Sequence, residues 1–262
     1  MKALTSPSNP EVKALFSLRE RRERERQRRF IIEGRRELAT ALAAGVKLTR
    51  LYLCPALLRP EAAALLKAVP PEVVQVELAP AIFAKISYRD NPDGLLAVAQ
   101  RQTRDLNSLT VPDNALVFVL DGLEKPGNLG ALIRTADGAG LDAVLLSGSG
   151  TDLENPNVIR ASLGTVFSRP VIEVDIAALL AWLRQEGFSL IAATPHAGAS
   201  YWDADYTGRA AMVLGAEHAG LSQAWLAAAD IHVSIPMRGL ADSLNVATAG
   251  ALLIYEALRQ RR

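Results

Sequence analysis

The sequence predicts an α/β protein, with a six-stranded parallel sheet in its C-terminal half and a smaller α/β layer before it. Three observations carry that prediction. Short apolar runs recur after residue 114, and segments long enough for helices lie between most of them. Those runs are continuous rather than alternating, which suits parallel strands covered on both faces. Before residue 100, shorter strand and helix patterns alternate as well. A chain of 262 residues suits one large or two ordinary domains. The polar stretch RQTRDLNSLTVPDN divides it into residues 1–100, a linker at 101–114 and a larger domain at 115–262.

Each element has a local reason. Asn9-Pro10-Glu11 supplies an N-cap, a proline at the first helical position and an acid in the first turn. The helix that follows points Val12, Leu15, Phe16 and Leu18 inward and its arginines outward. Phe30-Ile31-Ile32 is a short strand; Gly34 opens a helix from about Arg35 to Ala44, and Gly45 stops it. Strands at 48–54, 73–78 and 94–99 alternate with helices at 60–68 and 80–86. In the larger domain the strands are 115–120, 142–147, 170–174, 188–194, 210–215 and 231–236. The last helix carries Leu244, Val246, Ala249, Leu252, Leu253, Tyr255, Ala257 and Leu258 at helical spacing.

Composition narrows the function. The net charge is +1, yet residues 1–36 hold eleven Lys or Arg against five Glu. Most of that excess lies in RERRERERQRR, residues 19–29. Glu–Arg pairs at helical spacing explain part of the run as a solvated face. Seven arginines against three glutamates exceed what pairing needs, and guanidinium forks suit phosphate. Nucleic acid is therefore the first partner to consider, with Arg21, Arg22, Arg28, Arg29 and Arg35 as its candidate contacts. Cys54 is the only cysteine, which rules out an internal disulfide and points to a reducing cytoplasm. His196, His218 and His232 lack metal-ligand spacing, so no metal is expected. No apolar stretch of about 18 residues suggests a membrane span, and the first residues show no apolar signal core.

Ligands bind beyond the carboxyl ends of strands in an open parallel sheet, so the loops after strands matter most. Three stand out. DGLEKPGNLGALIRTADGAG, residues 121–140, follows the first long strand. There Asn128 can act as a cap, Gly130 can allow close packing, and Arg134 can pair with an acid. LGAEHAGLS, residues 214–222, holds Glu217 between Gly215 and Gly220, with Ser222 capping a helix. The third, IPMRGLADSLNVATAG, places Ser243 and Asn245 where an apolar helix start is expected. The chain has no P-loop; the nearest dinucleotide candidate, GSGTDLEN, lacks a third glycine, which disfavours an oxidoreductase.

Together the three loops resemble the motifs of the SpoU/TrmH branch of the SPOUT RNA methyltransferases. The matching residues are Asn128, Gly130 and Arg134; Gly215, Glu217, Gly220 and Leu221; then Ile235, Pro236, Met237, Ser243, Leu244, Asn245 and Val246. One departure is His218, where relatives often carry glycine. SPSNPEVKAL, FIIEGRREL and NPDGLLAVA are similar, more faintly, to the substrate-binding domain of members that modify ribosomal RNA. The resemblance implies a deep trefoil knot, a homodimer, and S-adenosylmethionine held by Thr194, Gly215, Ile235, Met237 and Leu244. It also implies 2′-O-ribose methylation of RNA, ribosomal ahead of transfer RNA. Arg134, Asn128, Glu217, Ser243 and Asn245 form the implied catalytic set. A non-catalytic RNA-binding protein with the same fold is the alternative.

Overall fold

The computed structural model describes residues 3–148 and 150–262, so Lys2 of the basic arm and Ser149 of GSGTDLEN lie outside the described residues. In chain order the first elements are α1 (Pro10–Ser17), α2 (Arg21–Gln27), β1 (Arg29–Glu33), α3 (Arg35–Ala43) and β2 (Leu48–Leu53). They continue with α4 (Ala62–Ala68), β3 (Val74–Glu77), α5 (Pro80–Ile86) and β4 (Leu95–Gln100). Next come β5 (Leu116–Asp121), α6 (Pro126–Ala139), β6 (Ala143–Ser147), α7 (Pro156–Ala161), β7 (Val171–Glu173) and α8 (Ile176–Gln185). The last are β8 (Ser189–Ala193), β9 (Ala199–Ser200), β10 (Ala210–Gly215), α9 (Gln223–Ala228), β11 (Ile231–Ser234) and α10 (Val246–Gln260).

Two compact units form. One comprises the residues up to Thr103 together with Asp152–Ser168; the other comprises Arg104–Thr151 and Arg169–Arg262. The first unit contains a sheet of order β1-β4-β2-β3, with β4 antiparallel to both neighbours and β2 parallel to β3. Val12, Leu15, Ile31, Tyr52, Phe83 and Leu96 fill its core. The single N-terminal helix expected from the sequence is two helices, and α2 ends where Arg28 turns left-handed at φ 51°. One arginine of the run does not point outward. Arg24 is 4 % exposed. Its guanidinium donates to both oxygens of Asp152, at 3.3 and 2.9 Å, and to the carbonyls of Leu18 and Arg19 at 2.9 and 2.6 Å. Asp152 opens the segment that sequence order places between β6 and β7; Thr40 and Phe30 hold that segment further along, at Leu163 and Phe167.

The second unit has the sheet order β7-β6-β5-β10-β8-β11-β9, with every pairing parallel. The six expected strands are present, and the two-residue β9 adds a seventh on the edge beside β11. β5 is buried along its whole length, as a central strand flanked by β6 and β10 must be. Burying a Val, Leu or Phe side chain contributes about 1.5–3 kcal/mol. α10 packs on α6 and β10. Gly250 makes that approach possible: a Cβ there would lie 2.3 Å from Leu132 Cδ2 and 2.9 Å from Phe118 Cζ. Gly250→Val is expected to lower the unfolding free energy by about 1–3 kcal/mol through overpacking. A urea midpoint equal to wild type contradicts that packing.

Candidate active site

Because all strands of the second unit run one way, their C-terminal ends form one edge. Ser147, Asp121 and Gly215 close β6, β5 and β10 side by side in register. The loop after β10 folds back at once: Ala216 N–H donates to the Gly220 carbonyl at 3.1 Å, and Gly220 N–H returns the bond at 3.0 Å. Gly220 sits at φ 68°, a left-handed turn that suits glycine. Gly215 has a packing reason to be glycine. A Cβ on it would lie 2.1 Å from the Gly220 carbonyl carbon and 2.3 Å from Leu221 N, so the returning loop itself occupies that space. His218 is exposed and adopts no positive φ, so its side chain is accommodated without backbone strain.

The three motif loops meet at one amide. Asn128 does not cap α6; Lys125 holds the cap position, and Pro126 starts the helix two residues before Asn128. The freed side chain instead donates from Nδ2 to Glu217 Oε1 at 2.6 Å, and its Oδ1 accepts from Asn245 Nδ2 at 3.2 Å. Asn245 is the N-cap of α10, with Oδ1 accepting the Ala247 N–H at 2.9 Å. The direction of each bond is fixed by chemistry. A carboxylate oxygen accepts and a backbone N–H donates, which leaves one orientation for each amide between them.

The other expected residues make no hydrogen bond to this amide. Thr194 N–H donates to Val233 O at 2.9 Å, beside the end of β11, and its side chain is half-buried. Ile235 and Met237 are half-buried, whereas Leu244 is 37 % exposed, an apolar surface at the strand ends. Ser243 is exposed and donates to Asp242 Oδ1 at 3.1 Å. Arg134 lies six residues beyond Asn128 on α6, about 9 Å along the axis and roughly 120° around it. Its side chain is exposed and makes no hydrogen bond or ion pair with any described residue. Ser222 stands at the N-cap of α9 with no side-chain cap bond, and its buried Oγ has no partner.

In the first unit the basic residues divide. Arg21 pairs with Glu25 at 2.8 Å, and Arg28 donates to Thr103 Oγ1 at 2.8 Å. Arg22 and Arg29 are exposed; Arg35 is half-buried and gives its backbone N–H to Asp93 at 2.8 Å. Cys54 is buried, and burial raises its thiol above the ordinary range. Among the described residues, no group of three or more His, Cys, Asp or Glu is placed to hold a metal ion. No helix among the described residues is long and apolar enough to cross a membrane.

Known proteins of similar sequence and fold identify the family. Residues 115–255 match the SpoU rRNA Methylase family, and residues 9–97 match an MRM3-like substrate binding domain. A 23S rRNA (uridine(2479)-2′-O)-methyltransferase of Streptomyces viridochromogenes is 32 % identical over 92 % of this chain and 86 % of its own. A 23S rRNA (guanosine(2553)-2′-O)-methyltransferase of Bacillus subtilis is 29 % identical over 97 % of this chain and 98 % of its own. Among solved structures, an RNA 2′-O ribose methyltransferase is 46 % identical with a TM-score of 0.89, covering 99 % of both chains. An AdoMet-bound rRNA methyltransferase from Sinorhizobium meliloti is 30 % identical with a TM-score of 0.90, covering 98 % of this chain and 97 % of that one. With three motif loops meeting at Asn128 and more than half of its length matched, the chain belongs to the SpoU rRNA methylase family.

Proposed function

We propose that this protein methylates a ribose 2′-hydroxyl of ribosomal RNA using S-adenosylmethionine. One observation carries the reading furthest: Asn128 is held by Glu217 on one side and Asn245 on the other, which joins three distant loops at the strand ends. The ribosomal substrate rests on relatives named as 23S rRNA methyltransferases and on the substrate-binding domain matched at residues 9–97.

The strand-end edge fits the cofactor. Ile235, Met237 and Leu244 are apolar side chains suited to a flat base, and Thr194 and Gly215 stand at the ends of β8 and β10, two of the neighbouring strands β10, β8 and β11. When bound, S-adenosylmethionine supplies a methyl group already activated as a sulfonium. The protein's task is then to place the hydroxyl and stabilise charge on its oxygen. Arg134 does this as a fork on the adjacent phosphate and the developing oxyanion; a guanidinium resists deprotonation, which argues against a general base. Asn128 and Ser243 orient the nucleotide, Glu217 fixes Asn128, and Asn245 sets the turn into α10. Arg21, Arg22, Arg28, Arg29 and Arg35 guide the RNA backbone.

Two further features belong to this reading. Leu252 and Tyr255 stay 37 % and 56 % exposed on α10, an apolar stripe that supports a homodimer built on that helix. The trefoil-knotted path rests on the family resemblance, with α10, seated on α6, as the segment that would follow the threaded loop. We place the protein in the cytoplasm on its ribosomal substrate.

Calorimetry with S-adenosylmethionine tests the enzyme against a non-catalytic RNA-binding protein: saturable one-site binding is expected, and no heat of binding favours the alternative. Mapping 2′-O-methylation across total RNA, with and without the gene, then decides the substrate. A missing mark on ribosomal RNA is expected; a missing mark confined to transfer RNA overturns the ribosomal assignment.

A further inference from the structure

Asp121 closes β5 with only 5 % of its surface exposed, and it makes no ion pair among the described residues. Its Oδ2 accepts the Ser222 N–H at 2.9 Å, and its Oδ1 accepts the Ser147 hydroxyl at 3.0 Å. Ser147 Oγ in turn accepts the indole N–H of Trp225 at 3.0 Å, and Trp225 is fully buried. A carboxylate buried without a cation is costly, and an apolar side chain of similar size removes that cost. Whatever keeps an acid there is what it holds.

What it holds is a loop mouth. Gly215 enters the loop in register beside Asp121, and Ser222 leaves it with its N–H on the Asp121 carboxylate. Both ends of the loop are thus tied to one residue, and the loop between them carries Glu217, the partner of Asn128. We propose that Asp121 is a positioning residue, clamping the 216–221 loop so that Glu217 holds the Asn128 amide in its working orientation. This rests on the methyl-transfer reading for its consequence, though the clamp itself does not.

Three variants test it. Asp121→Leu keeps the branched heavy-atom skeleton, with bulkier methyl groups, and removes both acceptors. Asp121→Asn keeps an acceptor for Ser222 and can donate to Ser147 Oγ. Ser222→Pro deletes only the donated N–H from the backbone, at a residue whose φ of −64° already suits proline. Hydrogen exchange of the 216–222 peptide is measured together with kcat and the KM for S-adenosylmethionine. In the Leu and Pro variants the loop is expected to exchange about tenfold faster, and kcat to fall by roughly 10–100-fold from misplacement of the Asn128 cluster. The Asn variant is expected to stay within about threefold of wild type on both measures, a rescue that a merely structural role does not predict. Unchanged loop exchange in the Leu and Pro variants overturns the clamp, whatever the activity. Faster exchange with wild-type kcat overturns its part in the reaction. A wild-type protein that methylates no RNA overturns the functional reading and the proposed consequence with it, while exchange still decides the clamp. If Asp121→Leu does not fold, Ser222→Pro decides alone.

Discussion

Replacing Arg134 with alanine is expected to lower kcat by roughly 10²–10³-fold, the usual cost of removing a donor aimed at developing charge. S-adenosylmethionine affinity should change by less than about threefold, because the residues proposed to line the cofactor lie on other elements. The structure gives the reason for separating the two effects. The Arg134 guanidinium is not committed to the fold: it is exposed on α6 and has no hydrogen-bond or ion-pair partner among the described residues. An arginine kept free in this way is available for the RNA. Arg134→Lys keeps the charge and loses the fork, and it should still lose at least about tenfold. Single-turnover kinetics on saturating RNA check both variants. Near wild-type turnover in Arg134→Lys contradicts the two-pronged role.

The largest stability effect is expected at Arg24. Arg24→Ala leaves Asp152 charged, buried and unpaired, and strands the Leu18 and Arg19 carbonyls as well. Breaking a buried pair from one side costs about 3–5 kcal/mol, so the urea midpoint should fall sharply. Arg22→Ala, in the same run but exposed, should shift stability by less than about 0.5 kcal/mol. The double variant Arg24→Met with Asp152→Leu should recover most of the loss, since an apolar replacement of a buried pair is often neutral. A single Arg24→Ala that unfolds like wild type contradicts the structural role given to the pair.

Much of the site could be read from the chain, because its motifs lie in short loops after apolar strands whose direction is implied by their helical connections. The six main strands follow from continuous apolar runs, and the residues of all three motifs follow from their order. Side-chain partnerships do not follow. Asn128 reads as a cap because Pro-Gly-Asn is helix-start chemistry; only the actual start at Pro126 shows that its amide is free to reach Glu217 and Asn245. Gly215 announces a missing Cβ but not what fills the space, and the answer is its own loop. Arg24 is indistinguishable in sequence from the arginines around it. Its partner is 128 residues away, in a segment that looks like an ordinary connection between β6 and β7. Asp121 carries a legible signal, an acid ending an otherwise apolar strand. The two-residue β9 is too short for any periodicity to show.

Convergence of the three loops on Asn128 for ribose methylation is tested most directly by locating the transferred methyl. Ribosomal RNA is incubated with the protein and methyl-labelled S-adenosylmethionine, then hydrolysed with alkali. A 2′-O-methyl group blocks cleavage at its own phosphodiester, so the label should appear in an alkali-resistant dinucleotide from a single position, and Asn128→Ala should abolish it. Label found on a base, or transfer that survives Asn128→Ala undiminished, contradicts the assignment.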